Sequence, residues 1–106
     1  MVIHEASGLN DNIRDICRQF AGEGYAALGV DLFAGRNRAI CMARMFGGAM
    51  AGNLDHYGVP ALKDALGQLA RHPEVDATRI GAVGFCLGGS IVLTWACTDH
   101  RLTATT

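Results

Sequence analysis

The sequence predicts an α/β fold, a parallel sheet with helices on both faces and strand order 2-1-3. Three observations carry this. Apolar runs at residues 1–4, 25–30 and 80–84 read as short strands. The segments between them include two with the 3.6-residue apolar period of helices that bury one face. The second run is too continuous for a half-exposed strand, which points to a sheet covered on both sides. Strands and helices that alternate in this way build a βαβαβα string with right-handed crossovers.

Each element has a local reason. Residues 1–4 are a buried strand that begins abruptly, and residues 5–10 are a polar loop. Asn10 or Asp11 caps a helix over residues 12–23, with Ile13, Ile16, Cys17 and Phe20 on one face. Gly24 stands where a helix C-terminus takes a left-handed residue. Residues 25–30 form the second strand and residues 31–37 a loop. Residues 38–57 have the weakest pattern: Met42, Met45 and Met50 share the segment with Gly47, Gly48 and Gly52, so any helix there is short or broken. Pro60 suits the first turn of a helix running to about Arg71, whose apolar face is Leu62, Ala65, Leu66 and Leu69; His72-Pro73 stops it. The third strand, residues 80–84, feeds a helix from Leu87 to about Cys97, and residues 98–106 read as a polar tail.

Composition narrows the possibilities. A length of 106 residues is one domain at most, residues 1–106, with a modest core. A net charge of −1 provides no basic stripe for nucleic acid or an anionic membrane. No stretch reaches the roughly 18 apolar residues of a spanning helix, and the N-terminus lacks a signal-peptide pattern. The four cysteines are irregularly spaced with no C-x-x-C, which argues against a zinc site or a disulfide scaffold and sets a reducing cytoplasm as the expected location. No metal or other cofactor is expected.

The chemistry concentrates at residues 79–90, where Gly84-Phe85-Cys86-Leu87-Gly88 is a G-x-C-x-G element, the cysteine form of the nucleophile elbow. In such an elbow the nucleophile occupies a strained strand-to-helix turn, and a Cβ two residues before or after it would obstruct the close backbone approach. The turn lifts the sulfur above the carboxyl edge of the sheet, at a helix N-terminus whose unpaired N–H groups favour negative charge. Phosphate cradling is a poorer fit. Ser90-Ile91 stands where a P-loop needs Lys followed by Ser or Thr, and the G-x-G-x-x-G spacing is absent. Cys17, Cys41 and Cys97 are expected to be small core hydrophobes. With strand order 2-1-3, the crevice at the switch point lies between the ends of strands one and three, where His4, Glu5 and Cys86 fall.

The blocks His4-Glu5-Ala6-Ser7-Gly8-Leu9-Asn10 and Gly84-Phe85-Cys86-Leu87-Gly88-Gly89 together closely resemble the dienelactone hydrolase (carboxymethylenebutenolidase) family of α/β-hydrolases. Ile13-Arg14-Asp15, Glu23-Gly24-Tyr25 and Asp31-Leu32-Phe33 extend the match to nearly the whole chain except residues 38–57. The resemblance implies hydrolysis of small, often acidic, esters or lactones by a Cys-His-Asp triad without a cofactor. It makes Cys86 the nucleophile, the Leu87 and Ala6 N–H groups the oxyanion hole, and Glu5 the loop glutamate that contacts the resting thiol. His4 is expected to orient or pack rather than act as a base. The family's triad aspartate and histidine follow the elbow helix on later loops, and the positions that would match them are absent. Asp99-His100 is no substitute, because the intervening helix carries it roughly 16 Å toward the other end of the sheet.

The expectation is thus the central portion of an α/β-hydrolase fold, cut from an enzyme of about twice this size, with Arg36, Arg38 and Arg44 left unassigned as substrate ligands. Two further readings stay open. One is a non-catalytic remnant or dimerising module with a reactive cysteine, and the other a thiol-reactive redox or binding protein. Sheet edges left exposed at residues 25–30 and 80–84 predict a homo-oligomer.

Overall fold

A computed structural model of the chain describes residues 1–52 and 58–106. Four parallel strands form one sheet in the order β2-β1-β3-β4: β1 (Val2–Ile3), β2 (Gly29–Val30), β3 (Ile80–Gly84) and β4 (Leu102–Thr105). Helix α1 (Asp11–Gly22) links β1 to β2. Helices α2 (Arg38–Met50) and α3 (Val59–Ala70) lie between β2 and β3, and α4 (Leu87–Ala96) links β3 to β4.

The order 2-1-3 therefore holds and continues into a fourth strand. Right-handed crossovers that step in opposite directions from the centre place α1 on one face and α3 and α4 on the other. The core follows that division. Leu62 and Leu66 of α3 and Ile91, Val92 and Trp95 of α4 are fully buried with Ile3 and Ile80 in one cluster. Ile13 of α1 is fully buried outside that cluster. Each such aliphatic or aromatic side chain contributes about 1.5–3 kcal/mol by leaving water.

Helix α1 is built as its sequence dictates. Asn10 Oδ1 accepts from the Ile13 N–H at 3.0 Å. At the other end Gly24 takes φ +93°, the Gly24 N–H donates to Ala21 O and the Tyr25 N–H to Phe20 O, both at 3.1 Å. This is a Schellman motif, and its usual apolar contact is the edge-to-face pair of Phe20 and Tyr25 with centroids 5.8 Å apart.

Several expectations need correction. The second strand is two residues long rather than six, because Tyr25 is held in the α1 cap and stands 65% exposed. It is also a half-buried edge rather than a fully covered strand. The segment expected to be broken carries a continuous thirteen-residue helix, α2. Asn37 Oδ1 caps it through the Ala39 and Ile40 N–H groups, and Cys41 and Met45 bury on the core, which together offset the cost of Gly47 and Gly48. Of that expected segment, residues 53–57 lie outside the described residues.

The polar tail is in fact β4. Thr106 N–H donates to Ala82 O at 3.1 Å, Gly84 N–H to Thr106 O at 2.9 Å, and Leu102 packs against the core. Threonine has high strand propensity, which a reading by polarity alone overlooks. The register shifts between Ile80 and Gly81, and the hydroxyl of Thr103 there donates to Ile80 O at 3.1 Å. Consequently β3 is interior, and the edges are β2 and β4. Finally, Cys97 is exposed at the end of α4, whereas Cys41 is buried and Cys17 half-buried.

Asp99 ties the α4–β4 turn. Its buried carboxylate accepts from the fully buried Trp95 Nε1–H at 2.9 Å and from the Arg101 guanidinium at 2.7 and 2.8 Å. The Arg101 contacts, followed by the Trp95 hydrogen bond, hold its carboxyl well below the usual aspartate range despite burial. Asp99 is thus a structural clamp, and His100 follows it beyond the C-terminal end of α4.

Candidate active site

The strand connections reverse direction between β1 and β3, whose carboxyl ends are adjacent. Ile3 pairs with Gly84, and the Phe85 N–H donates to Ile3 O at 3.3 Å. The loops carrying Glu5-Ala6 and Cys86-Leu87 therefore leave from neighbouring strand ends, at the place where open α/β sheets form ligand crevices.

Cys86 is the N-cap of α4 and is exposed, with φ 54° and ψ −110°. A non-glycine residue in that conformation stores roughly 1–3 kcal/mol of strain, which the surroundings must hold. They do so through two glycines. A Cβ on Gly84 would overlap the Gly88 carbonyl and lie 2.6 Å from the Gly89 nitrogen. A Cβ on Gly88 would stand 2.5 Å from both the Ile3 and His4 carbonyl oxygens. The first glycine lets the turn fold back on its own helix, and the second lets α4 sit against the end of β1. A tight Gly88 N–H to Phe85 O bond of 2.9 Å closes the turn, and the Ser90 N–H to Cys86 O bond of 3.2 Å starts the helix. Behind it the buried side chains of Ile91, Val92 and Trp95 fix α4 to the sheet.

Among the described residues, neither the Leu87 N–H nor the Ala6 N–H has a hydrogen-bond partner. Leu87 is the first residue of α4, and Ala6 lies in the turn that follows β1. Glu5 is half-buried, and its Oε1 accepts from Asn10 Nδ2 at 3.3 Å, which joins it to the cap of α1. His4 is fully buried. Its Nε2 lies 2.9 Å from the Leu32 nitrogen and its Nδ1 2.6 Å from Glu5 O, so both ring nitrogens are engaged, and the ring packs 4.9 Å from that of Phe33.

A cavity of about 260 Å³ opens one strand away, beyond the ends of β1 and β2. It is lined by residues 7–9, Asp31, Phe33, Gly35, Arg36 and Arg38. Arg38 donates to Ser7 O at 3.0 Å and lies 5.9 Å over the Phe33 ring, so the loop after β1 and the start of α2 share one wall. Sequence reasoning left Arg38 unassigned. The one signal available was the Asp31-Leu32-Phe33 block, which marks where the second loop begins. Among the described residues no group of three or more His, Cys, Asp or Glu side chains is placed to hold a metal ion.

With this geometry in view, the comparisons with known proteins agree with one another. The model of the dienelactone hydrolase family matches residues 1–106. A Salmonella typhi protein provisionally named carboxymethylenebutenolidase is 32% identical over 107 positions, covering 98% of this chain and 39% of its own length. A Methylorubrum extorquens protein of the same provisional name is 30% identical, covering 95% of this chain and 35% of its own. The solved structure named m3DLH superposes with a TM-score of 0.78 at 38% identity, over 98% of this chain and 44% of that one. The chain spans less than half the length of these relatives. Family model, relatives and superposed structure all lead to one assignment: the chain belongs to the dienelactone hydrolase family.

Proposed function

We propose that the protein is a hydrolase of small ester or lactone substrates with Cys86 as its nucleophile. One observation supports this above the others. The exposed Cys86 occupies a strained backbone conformation held by two glycines whose positions leave no room for a side chain. A structural cysteine needs neither the strain nor the exposure. Family membership supports the substrate class, since the relatives are named for a lactone hydrolase.

In this reading the Cys86 sulfur attacks the substrate carbonyl carbon and forms a C–S bond, while the carbonyl π electrons move onto oxygen. The Leu87 and Ala6 N–H groups receive that oxyanion, and the positive end of α4 favours it. Collapse expels the alkoxide, which takes up a proton, and leaves a thioester. Water then releases the acid and restores the thiol. Glu5 was expected to contact the thiol; its Oε1 instead accepts from Asn10 Nδ2 at 3.3 Å, and among the described residues it makes no hydrogen bond to Cys86.

The base for these proton transfers falls outside the described histidines. His4 has both ring nitrogens engaged, and His72 Nδ1 accepts from the Glu74 N–H at 3.2 Å on the loop after α3. His100 lies past the far end of α4, and His56 lies outside the described residues. No organic cofactor or metal takes part in this scheme. No helix among the described residues is long and apolar enough to cross a membrane. Four free thiols are consistent with a reducing cytoplasm as its location.

A second reading, self-association, draws on β2 and β4, the two edges of the sheet among the described residues. Residues 102–105 of β4 carry no charge and no proline, the devices that discourage edge pairing. We take it as compatible with hydrolysis rather than as its replacement. The test of the leading reading is ester hydrolysis by the protein with its thiols free and after alkylation. Hydrolysis lost on alkylation and absent from Cys86→Ala supports the reading, and hydrolysis indifferent to both contradicts it.

A further inference from the structure

We propose that His4 is a positioning residue that fixes the direction of the oxyanion donor at Ala6. The proposal rests on the reading of Ala6 and Cys86 given above. The Leu32 N–H can only donate, so His4 Nε2, 2.9 Å away, accepts. The Glu5 carbonyl can only accept, so Nδ1, 2.6 Å away, donates. One ring proton, on Nδ1, satisfies both bonds, and the full burial of the ring admits no competing water.

The carbonyl that His4 holds belongs to the same peptide group as the Ala6 N–H. That peptide is trans, so its C=O and N–H point in opposite directions. Drawing the Glu5 oxygen toward the buried ring turns the Ala6 hydrogen to the open side of the loop. The Gly8 N–H also donates to Glu5 O, at 3.0 Å, and closes residues 5–8 into a turn whose last position needs the left-handed φ of +85° that Gly8 adopts. Two donors on one carbonyl polarise the peptide and strengthen its N–H as a donor. From the other side, Arg38 holds the Ser7 carbonyl. His4 thus fastens the loop after β1 to the loop after β2 through Leu32, and sets the direction of the Ala6 N–H.

The test separates two reactions of the same thiol. Acylation by p-nitrophenyl acetate develops an oxyanion, whereas alkylation by iodoacetamide displaces iodide at a saturated carbon and develops none. Deleting an oxyanion donor costs roughly 100- to 1000-fold, so a donor left in place but no longer fixed predicts a loss of roughly 10- to 100-fold in acylation for His4→Leu. Alkylation of Cys86 in that variant should proceed at the wild-type rate. His4→Gln, which keeps a donor and an acceptor, should recover most of the acylation rate. Equal loss in both reactions, no loss in either, or a loss that Gln fails to restore overturns the proposal. A wild-type protein whose acylation does not depend on Cys86 overturns the underlying reading instead, and the proposal with it. Should His4→Leu fail to fold, nitrogen NMR of the wild-type ring decides: the proton belongs on Nδ1, and finding it on Nε2 refutes the assignment.

Discussion

Replacing Gly88 with alanine should destabilise the protein, although alanine is the better helix former. In an unconstrained helix the change is favourable by about 0.5–1 kcal/mol. Here the new Cβ would lie 2.5 Å from the Ile3 and His4 carbonyl oxygens and 2.9 Å from the Ile3 carbonyl carbon. Relief requires α4 to retreat from β1 by roughly 1 Å, since non-bonded heavy atoms settle near 3.5 Å. Neither side gives easily, because α4 is fixed by Ile91, Val92 and Trp95 and the opposing atoms are backbone. Overpacking of this kind costs about 1–3 kcal/mol or more, which outweighs the helix gain and leaves a net loss of about 1–2 kcal/mol. In a domain of this size that lowers the melting temperature by roughly 4–16 °C. Gly89 is the control. The nearest atom to its Cβ is the Gly84 oxygen at 3.3 Å, so Gly89→Ala should stay within about 1 kcal/mol of wild type. Thermal and urea melts of both variants give the comparison. Because the same retreat moves Leu87 away from Ala6, Gly88→Ala should also slow acylation of Cys86. A Gly88→Ala protein as stable as wild type, or a Gly89→Ala protein equally damaged, would refute the packing argument.

Other substitutions test other parts of the structure. Gly47→Ala in α2 meets nothing within 4 Å and should stabilise by about 0.5–1 kcal/mol, read as a higher urea midpoint at an unchanged slope. Asp99→Ala leaves the buried Trp95 N–H without an acceptor and should cost about 1–3 kcal/mol, measured by chemical denaturation. Because the folded Asp99 carboxyl is held below its ordinary range, its contribution is complete above about pH 4, the unfolded aspartate value, and is lost as pH falls below that. Asp99→Asn should therefore flatten the acid limb of stability against pH, and an unchanged limb would count against the clamp. The open β2 and β4 edges predict a dimer or larger species by light scattering at micromolar concentration, and a monodisperse monomer with protected edge amides would exclude pairing through them.

What the sequence disclosed, and what it hid, follows from the range of the interactions involved. Third-strand and α1 boundaries were legible because their causes are local: Asn10 caps three residues ahead, and Gly24 closes a Schellman turn at once. The elbow was legible because sterics demand glycine at fixed offsets from Cys86, a pattern that survives in one dimension. The second strand was overestimated because apolar residues 25–28 serve a helix cap and an edge as well as they would serve a central strand. The fourth strand was missed because threonines read as polar, and their pairing with β3 is settled only after α4 has crossed the sheet. Helix α2 was underestimated because the burial of Cys41 and Met45 against distant elements outweighs local glycines. In the candidate site, the placement of Glu5, Ala6, Cys86 and Leu87 at neighbouring strand ends could be read from the chain. The double engagement of the His4 ring could not, since Leu32 joins it from 28 residues away.

The central claim is that Cys86 is the atom on which the substrate's acyl group rests. The most direct measurement is intact and peptide mass spectrometry of the protein quenched shortly after mixing with p-nitrophenyl acetate. The account predicts a single added acetyl group, carried as a thioester on the peptide containing Cys86 and absent from Cys86→Ala. No adduct, or an acetyl group on the likewise exposed Cys97 instead, would contradict it.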